Sequence, residues 1–416
     1  MRWLYTAAGL LLGADINVHS RPTTVTKVAA EYSTISQFII SSLPSRLGAL
    51  GIGEPRVRLG HQVTPRVLII SLFGPEADVW YENLPKSGLG DLLATNISVP
   101  GLNPLYPAVH CTAEGTICQV TTGESEINAA ATINSVVLSG MFDLRKTYFL
   151  IAGIAGVNPK HGTLGSVAIA KYAVQVALQY ELDAREMPPD WTTGYFSYGT
   201  LSPGQYPTRL YGTEVFEVNE ALRDAAYGYA SEVRLEDSAN ARAYRKKYAA
   251  AGPSYAMATR PPSVIKCDSA TSDVYYTGHL LSETFENVTR LLTNGSGTYC
   301  VTAQEENAIL GVLVRLDIWG LVDYGRAIIM RTGSNFDRPA PGVDVLDNLR
   351  AAEQNGITLA TTNLYLAGVS IVRGLLNEWD GIFQKGIAAP NYLGDIFGTL
   401  GGQPDFGPGG VDGAGL

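Results

Sequence analysis

Residues 66–73, RVLIISLF, form a nearly unbroken apolar run that Gly74-Pro75 ends abruptly. A strand this apolar has no wet face, so it belongs inside a sheet covered on both sides. Comparable runs return at 116–122, 146–157, 166–176, 263–268, 298–303 and 326–332. Helical spacing fills the intervals at 126–140, 213–233, 279–293, 305–320 and from about 344 to 386. Strands alternating with helices predict an α/β protein, a mostly parallel or mixed sheet between helical layers with one continuous core.

The two ends of the chain read differently from its body. Residues 1–14, MRWLYTAAGLLLGA, place Arg2 before an apolar run followed by small residues, the pattern of a secretory leader. The expected organisation is a signal peptide at 1–20, an N-terminal extension at 21–64, a domain at 65–397 and a disordered Gly- and Pro-rich tail at 398–416. Glycosylation acceptor patterns at Asn96, Asn287 and Asn294 agree with export. So do four cysteines, with Cys111 and Cys118 flanking a turn and Cys267 and Cys300 on expected strands. Disulfides are expected, at least the local one, in a secreted or cell-surface protein.

Two partner classes are set aside. The most apolar stretches, 148–157 and 366–376, fall short of the ~20 residues a spanning helix needs, so no integral membrane span is expected. With 30 Lys and Arg against 39 Asp and Glu, a net charge of −9, no cationic surplus exists to neutralise nucleic acid.

Ligands of open α/β sheets sit beyond the carboxyl ends of the strands, which directs attention to the residues just past each apolar run. Glu76 and Asp78 come after the first, at a glycine turn, where a carboxylate activates water or simply favours a helix start. Gly123 and Glu124 come after the second, at another helix start with free backbone amides. Gly153 and Gly156, three apart beside Ala152 and Ala155, interrupt the third, leaving room for a flat ligand or a packing bulge. Glu305 and Glu306 open a helix after 298–303, and Ser334 and Asn335 close the 326–332 strand. A carboxylate accepts from both hydroxyls of a sugar, and an amide both donates to and accepts from a purine edge.

Taken in order, RVLIISLFGPEADVW (66–80), TTGESEINAA (121–130), FLIAGIAGVNPKHGTLGSVAIA (149–170), YELDAREMPPDWTTGY (180–195), TAQEENA (302–308) and MRTGSNFDRP (330–339) resemble the fungal purine nucleoside permease family. That family is in turn similar in organisation to the nucleoside phosphorylases and nucleosidases. The resemblance spans about Arg66 to Gly386. It implies a three-layer α/β/α sandwich around a mixed, partly closed sheet, with a purine nucleoside at the strand ends. It makes Glu76 or Asp78 the carboxylate near the ribose and attacking group, Glu305 or Glu306 the binder of the ribose hydroxyls, and Asn335 the residue facing purine N7. The Ala152 to Gly156 backbone and Tyr195 or Phe196 would sandwich the base. Neither metal nor cofactor is implied, and a homo-oligomer is compatible with it.

The chain departs from that pattern in two places. Related nucleosidases have Ser-Asp where this sequence has Ser334-Asn335, an amide in place of a proton donor. Phosphorylases place arginines in the glycine turns, whereas 73–78 and 121–126 contain none. The expected function is nucleoside binding that assists uptake, with hydrolytic cleavage of the N-glycosidic bond; the alternative is a nucleoside-binding or storage protein without catalysis.

Overall fold

The computed structural model describes residues 62–351 and 354–407. The leader expected at 1–20 lies outside them, as does the extension up to residue 61. The first apolar run becomes β1 (Val67–Ser71), followed by α1 (Gly74–Asn83), β2 (Thr95–Ser98), β3 (Ala108–Cys111), β4 (Ile117–Thr121) and α2 (Glu126–Leu138). The middle of the chain supplies β5 (Tyr148–Val157), β6 (Val167–Ala170), β7 (Tyr172–Gln175), the short pair β8 (Tyr180–Glu181) and β9 (Tyr195–Phe196), and β10 (Val215–Glu217). After it come α3 (Glu220–Ser231), α4 (Ala239–Arg245), β11 (Val264–Lys266), β12 (Asp268–Thr271), α5 (His279–Leu292), β13 (Tyr299–Ala303) and α6 (Glu306–Asp317). Last are β14 (Ala327–Phe336), α7 (Ile357–Asn377) and β15 (Gly394–Asp395).

β1 lies between β4 and β5, parallel to both, and β3 and β2 extend the sheet antiparallel beyond β4. The ten-residue β5 is long enough to serve further neighbours. It pairs with β14 in parallel along most of its length and with β13 antiparallel at its end. β14 pairs with β6, whose chain continues through Lys171 into β7; β7 pairs with β12, and β12 with β13. The pairings therefore close a ring, β5 to β14 to β6 and β7 to β12 to β13 and back to β5, and the mixed sheet is partly closed as expected.

Alternation along β1 shows why the sheet is covered twice. Leu68 and Ile70 pack with Ile133 and Val136 of α2 and Leu310 and Leu313 of α6, while Val67 and Ile69 pack with Trp80 of α1, Leu222 of α3 and Leu364 and Ile371 of α7. Each such side chain contributes about 1.5–3 kcal/mol on burial. The protein is a three-layer α/β/α sandwich.

Three expectations change. The 213–233 interval splits into β10 and α3, because Val215, Phe216 and Glu217 enter the sheet before Asn219 caps the helix at the Ala221 and Leu222 amides. The 344–386 interval contains an irregular turn at Asp347–Ala351 before α7 begins. That 21-residue helix reaches well beyond 366–376 and is long and apolar enough to cross a membrane, yet Leu364, Ala367, Ile371 and Leu375 are buried against the sheet. In the tail, Phe406 is 2% exposed and packs edge-on against Tyr392 and Tyr172, and Leu400 packs against the core, so residues 398–407 are anchored to the body.

Two disulfides are present. Cys111–Cys118 joins directly opposed residues of β3 and β4, and Cys267–Cys300 ties the residue before β12 to β13.

Candidate functional site

Parallel neighbours β1 and β5 pair as far as Ile70 and Ile151; β5 runs on to Val157, while β1 stops at Ser71 and α1 begins shortly after it. Pro75 suits a first helical turn because its missing N–H has no partner there anyway. That turn sends Glu76 back beneath the strand ends, where it is 1% exposed. One carboxylate oxygen accepts from the Leu72 amide at 2.6 Å and the Phe73 amide at 3.3 Å; the other accepts from Ile154 of β5 at 2.6 Å. Burial pushes the carboxyl up to about 8, against the opposing pull of the Arg331 guanidinium and the amide bonds.

Arg331 stands opposite Gly153 in the β14–β5 register and is buried. Its Nη2 donates to Glu305 Oε2 at 2.8 Å, its Nη1 to the Ile154 carbonyl at 3.0 Å, and its Nε to Glu306. Burial opposes its charge, but Glu306, Glu305 and Glu76 together hold it firmly charged. A Cβ on Gly153 would stand 2.4 Å from Arg331 Nη1 and 2.9 Å from Glu76 Oε1. The glycine expected to admit a flat ligand instead admits these two side chains.

Glu305 precedes α6 and reaches the second glycine turn, accepting from the Ser125 amide at 3.0 Å. Ser125 adopts φ +80°, a conformation uncommon outside glycine, and this bond holds it there. Next to it the Glu126 amide donates to Asp273 at 2.9 Å. Glu306 meets the same guanidinium at Nε, and burial, with the neighbouring Glu305 charge, raises its pKa.

A register shift between Gly333 and Asn335 bulges β14 at its end. Ser334 Oγ lies 3.1 Å from the Ala155 carbonyl and 3.0 Å from Asn335 Oδ1, to either of which it donates. Gly356 lets α7 start against this bulge, since a Cβ there would meet the Ser334 carbonyl at 1.9 Å.

These groups enclose a cavity of about 910 Å³. Of the residues expected from sequence, Glu76, Glu124, Ala155, Gly156, Glu305, Ser334 and Asn335 line it. Asp78 does not; it is exposed on α1. Gly123, Ala152, Gly153 and Glu306 form no part of the wall, although Gly153 and Glu306 pack against Arg331, which does. Tyr195 and Phe196 lie elsewhere, Tyr195 on Phe285 and Phe196 on Tyr180 and Trp191, because β8 and β9 pair only with each other. The aromatic residues of the wall are Phe73, just before α1, and Tyr275 and Tyr276, a few residues past the end of β12. Tyr276 is buried and donates to Tyr299, which donates to Asp337 at 2.6 Å; Tyr275 is 61% exposed and its hydroxyl meets the Asn335 side chain.

Arg331 and Tyr275 were missed from sequence. A lone arginine in the buried strand AIIMRTGSNF was the available signal, because a buried guanidinium demands acidic partners. Two adjacent aromatics a few residues past a strand end were the signal for the wall.

The sandwich, its partly closed sheet and a cavity at the strand ends define an α/β protein with a ligand-sized site. The sequence matches the purine nucleoside permease (NUP) family over residues 64–388. The chain belongs to that family, and a nucleoside-related role follows. A purine nucleoside permease of Candida albicans (strain SC5314) is 44% identical over 408 residues, covering 92% of this chain and 98% of the relative. Another from Candida albicans is 48% identical over 349 residues, covering 82% and 83%. Among solved structures, the Helicobacter pylori 5′-methylthioadenosine/S-adenosylhomocysteine nucleosidase has a TM-score of 0.45 at 13% identity, over 77% of this chain and 100% of that one. The futalosine hydrolase of the same organism gives 0.45 and 13%, over 76% and 98%. At that distance neither bears on this chain's activity.

The relatives' name, permease, denotes passage of nucleosides across a membrane. It overturns the expectation of a secreted or cell-surface protein, which rested on the apolar run at 1–14, the glycosylation patterns and the cysteines.

Proposed function

We propose that the chain binds purine nucleosides in this cavity, in a role tied to nucleoside passage, and hydrolyses their N-glycosidic bond. The observation that carries the reading is the convergence of Glu76, Glu305 and Asn335, from three different strand ends, on one cavity. Glu305 accepts hydrogen bonds from the ribose hydroxyls, and Asn335 donates to purine N7. The Ala155 and Gly156 backbone and the Tyr275–Tyr276 wall flank the base.

Hydrolysis then proceeds by attack of water on the anomeric carbon. Glu76 takes the water's proton, which it does best when its raised pKa lies near the working pH. Its charge also stabilises the oxocarbenium-like sugar. The bond to the base breaks with its electron pair on the base, which Asn335 steadies by a hydrogen bond without transferring a proton; solvent protonates the departing base.

Incubation with inosine, guanosine and adenosine, with and without inorganic phosphate, tests this. Free base and free ribose in both conditions are expected. Sugar phosphate formed only when phosphate is added would overturn the hydrolytic step, and the absence of both free base and binding heat would overturn the whole reading. A second reading, binding without cleavage, is favoured by Asn335 itself, an amide in the leaving-group position. Binding heat without free base would select it.

A further inference from the structure

We infer that Asp337 is the positioning residue of the aromatic wall: through the Tyr299 hydroxyl and through its own backbone carbonyl it sets where Tyr276 meets a bound base. The inference rests on the nucleoside reading above and extends it to a residue that is not itself part of the cavity wall. β14 stops at Phe336, but the Asp337 amide still donates to the Val157 carbonyl of β5 at 3.1 Å, so the sheet holds this residue in place. Asp337 is buried, and so is Arg338 beside it. The guanidinium donates to both carboxylate oxygens, Nε to Oδ1 and Nη2 to Oδ2, each at 2.9 Å. A carboxylate gripped by this planar fork has a fixed orientation. Its Oδ2 also accepts from the Tyr299 hydroxyl at 2.6 Å, and Tyr299 accepts from the Tyr276 hydroxyl at 3.2 Å.

The charged end gives this chain its direction. A carboxylate only accepts, so Tyr299 donates its one proton to Asp337 and is left to accept from Tyr276. The Tyr276 hydroxyl is thereby drawn into the protein, while its ring packs edge-on against Phe285 with centroids 4.6 Å apart. The Asp337 carbonyl acts on the same wall by a second route. It accepts from the Thr277 hydroxyl at 2.8 Å, the Gly278 amide at 3.0 Å and the Ser282 hydroxyl at 3.2 Å, which fixes the residues directly after Tyr276. Thr277 in turn accepts from Asn348, a residue of the cavity wall, at 2.8 Å. Asp337 stands two positions after Asn335, so one strand end sets both the amide assigned to the base edge and the ring assigned to its face.

Removing Asp337 would leave Arg338 buried without its forked partner, so the test removes the hydroxyls instead. Tyr276→Phe, Tyr299→Phe and the double variant of the full chain are titrated with guanosine by calorimetry. Methyl β-D-ribofuranoside, which carries the sugar without a base, serves as a competing probe. Each single variant is expected to bind guanosine ~3–10-fold more weakly, the size of one hydrogen bond, with the riboside within ~2-fold of its wild-type affinity. The double should lie within ~2-fold of the weaker single, because both substitutions break one chain. An equal loss for guanosine and riboside with a lower melting temperature would overturn the inference, since it would mean structural support alone. So would losses that multiply in the double variant, or an unchanged guanosine affinity in Tyr299→Phe. A wild-type protein that binds neither probe would remove the nucleoside reading itself, and this inference with it.

Discussion

Gly153 and Arg331 face each other on adjacent strands so closely that a single added carbon on the glycine would stand 2.4 Å from the guanidinium. The same carbon would crowd Glu76 and Leu72. Gly153→Ala is therefore expected to destabilise the protein by about 1–3 kcal/mol through overpacking and to weaken nucleoside binding. Thermal melting and calorimetry on the variant check both.

Removing the guanidinium is a harsher change than crowding it. Arg331→Met leaves Glu305 and Glu306 buried beside each other without a counter-ion, and a loss of about 3–5 kcal/mol is expected in urea unfolding. Arg331→Lys should recover little of that, because an ammonium cannot bridge two carboxylates and a carbonyl in one plane.

Glu76 sets a pH dependence of definite sign. Its folded pKa, about 8, lies above its ordinary value, so the folded state holds this proton after the unfolded chain has released it. The contribution to stability is complete below about pH 4.5 and disappears as the pH rises through about 8. Base release, by contrast, should climb toward pH 8 as the carboxylate forms. In Glu76→Gln the climb should vanish and the rate should fall ~10²–10⁴-fold, with binding heat retained. A pH–rate profile of both proteins decides it; an unchanged profile in the variant would remove Glu76 from the chemistry.

Asn335→Asp supplies the acid that the leaving group lacks. Free-base release is expected to rise at least ~10-fold at mildly acidic pH, where an aspartic acid can protonate N7, with less change in affinity. An identical or lower rate would mean that departure of the base is not limited by its missing proton.

Much of this was legible in the sequence for a reason that differs from residue to residue. Glu76, Glu305 and Asn335 stood out because a strand end fixes where the next few residues go, and all three lie at the ends of strands whose apolarity is unmistakable. Adjacent candidates, Asp78 and Glu306, were inseparable from their neighbours until the helix phase was known. Arg331 was hidden by its position inside a strand, where the register and not the local spacing decides which side chain it meets. Tyr195 and Phe196 misled because their segment carries aromatic residues but joins only a two-strand ribbon outside the main sheet. Phe406 shows the limit of composition: it and Leu400 anchor a segment whose glycines and prolines suggest disorder.

The circular pairing of β5, β14, β6, β7, β12 and β13 has a mechanical consequence for traffic through the site. A strand belonging to a closed circuit has no loose border to peel away, so the floor under the ligand stays rigid while solvent exchanges above it. On the proposed reading, nucleosides enter and leave past the rim, where the side chains of Tyr275, Leu349 and Ile357 line the cavity and are partly exposed.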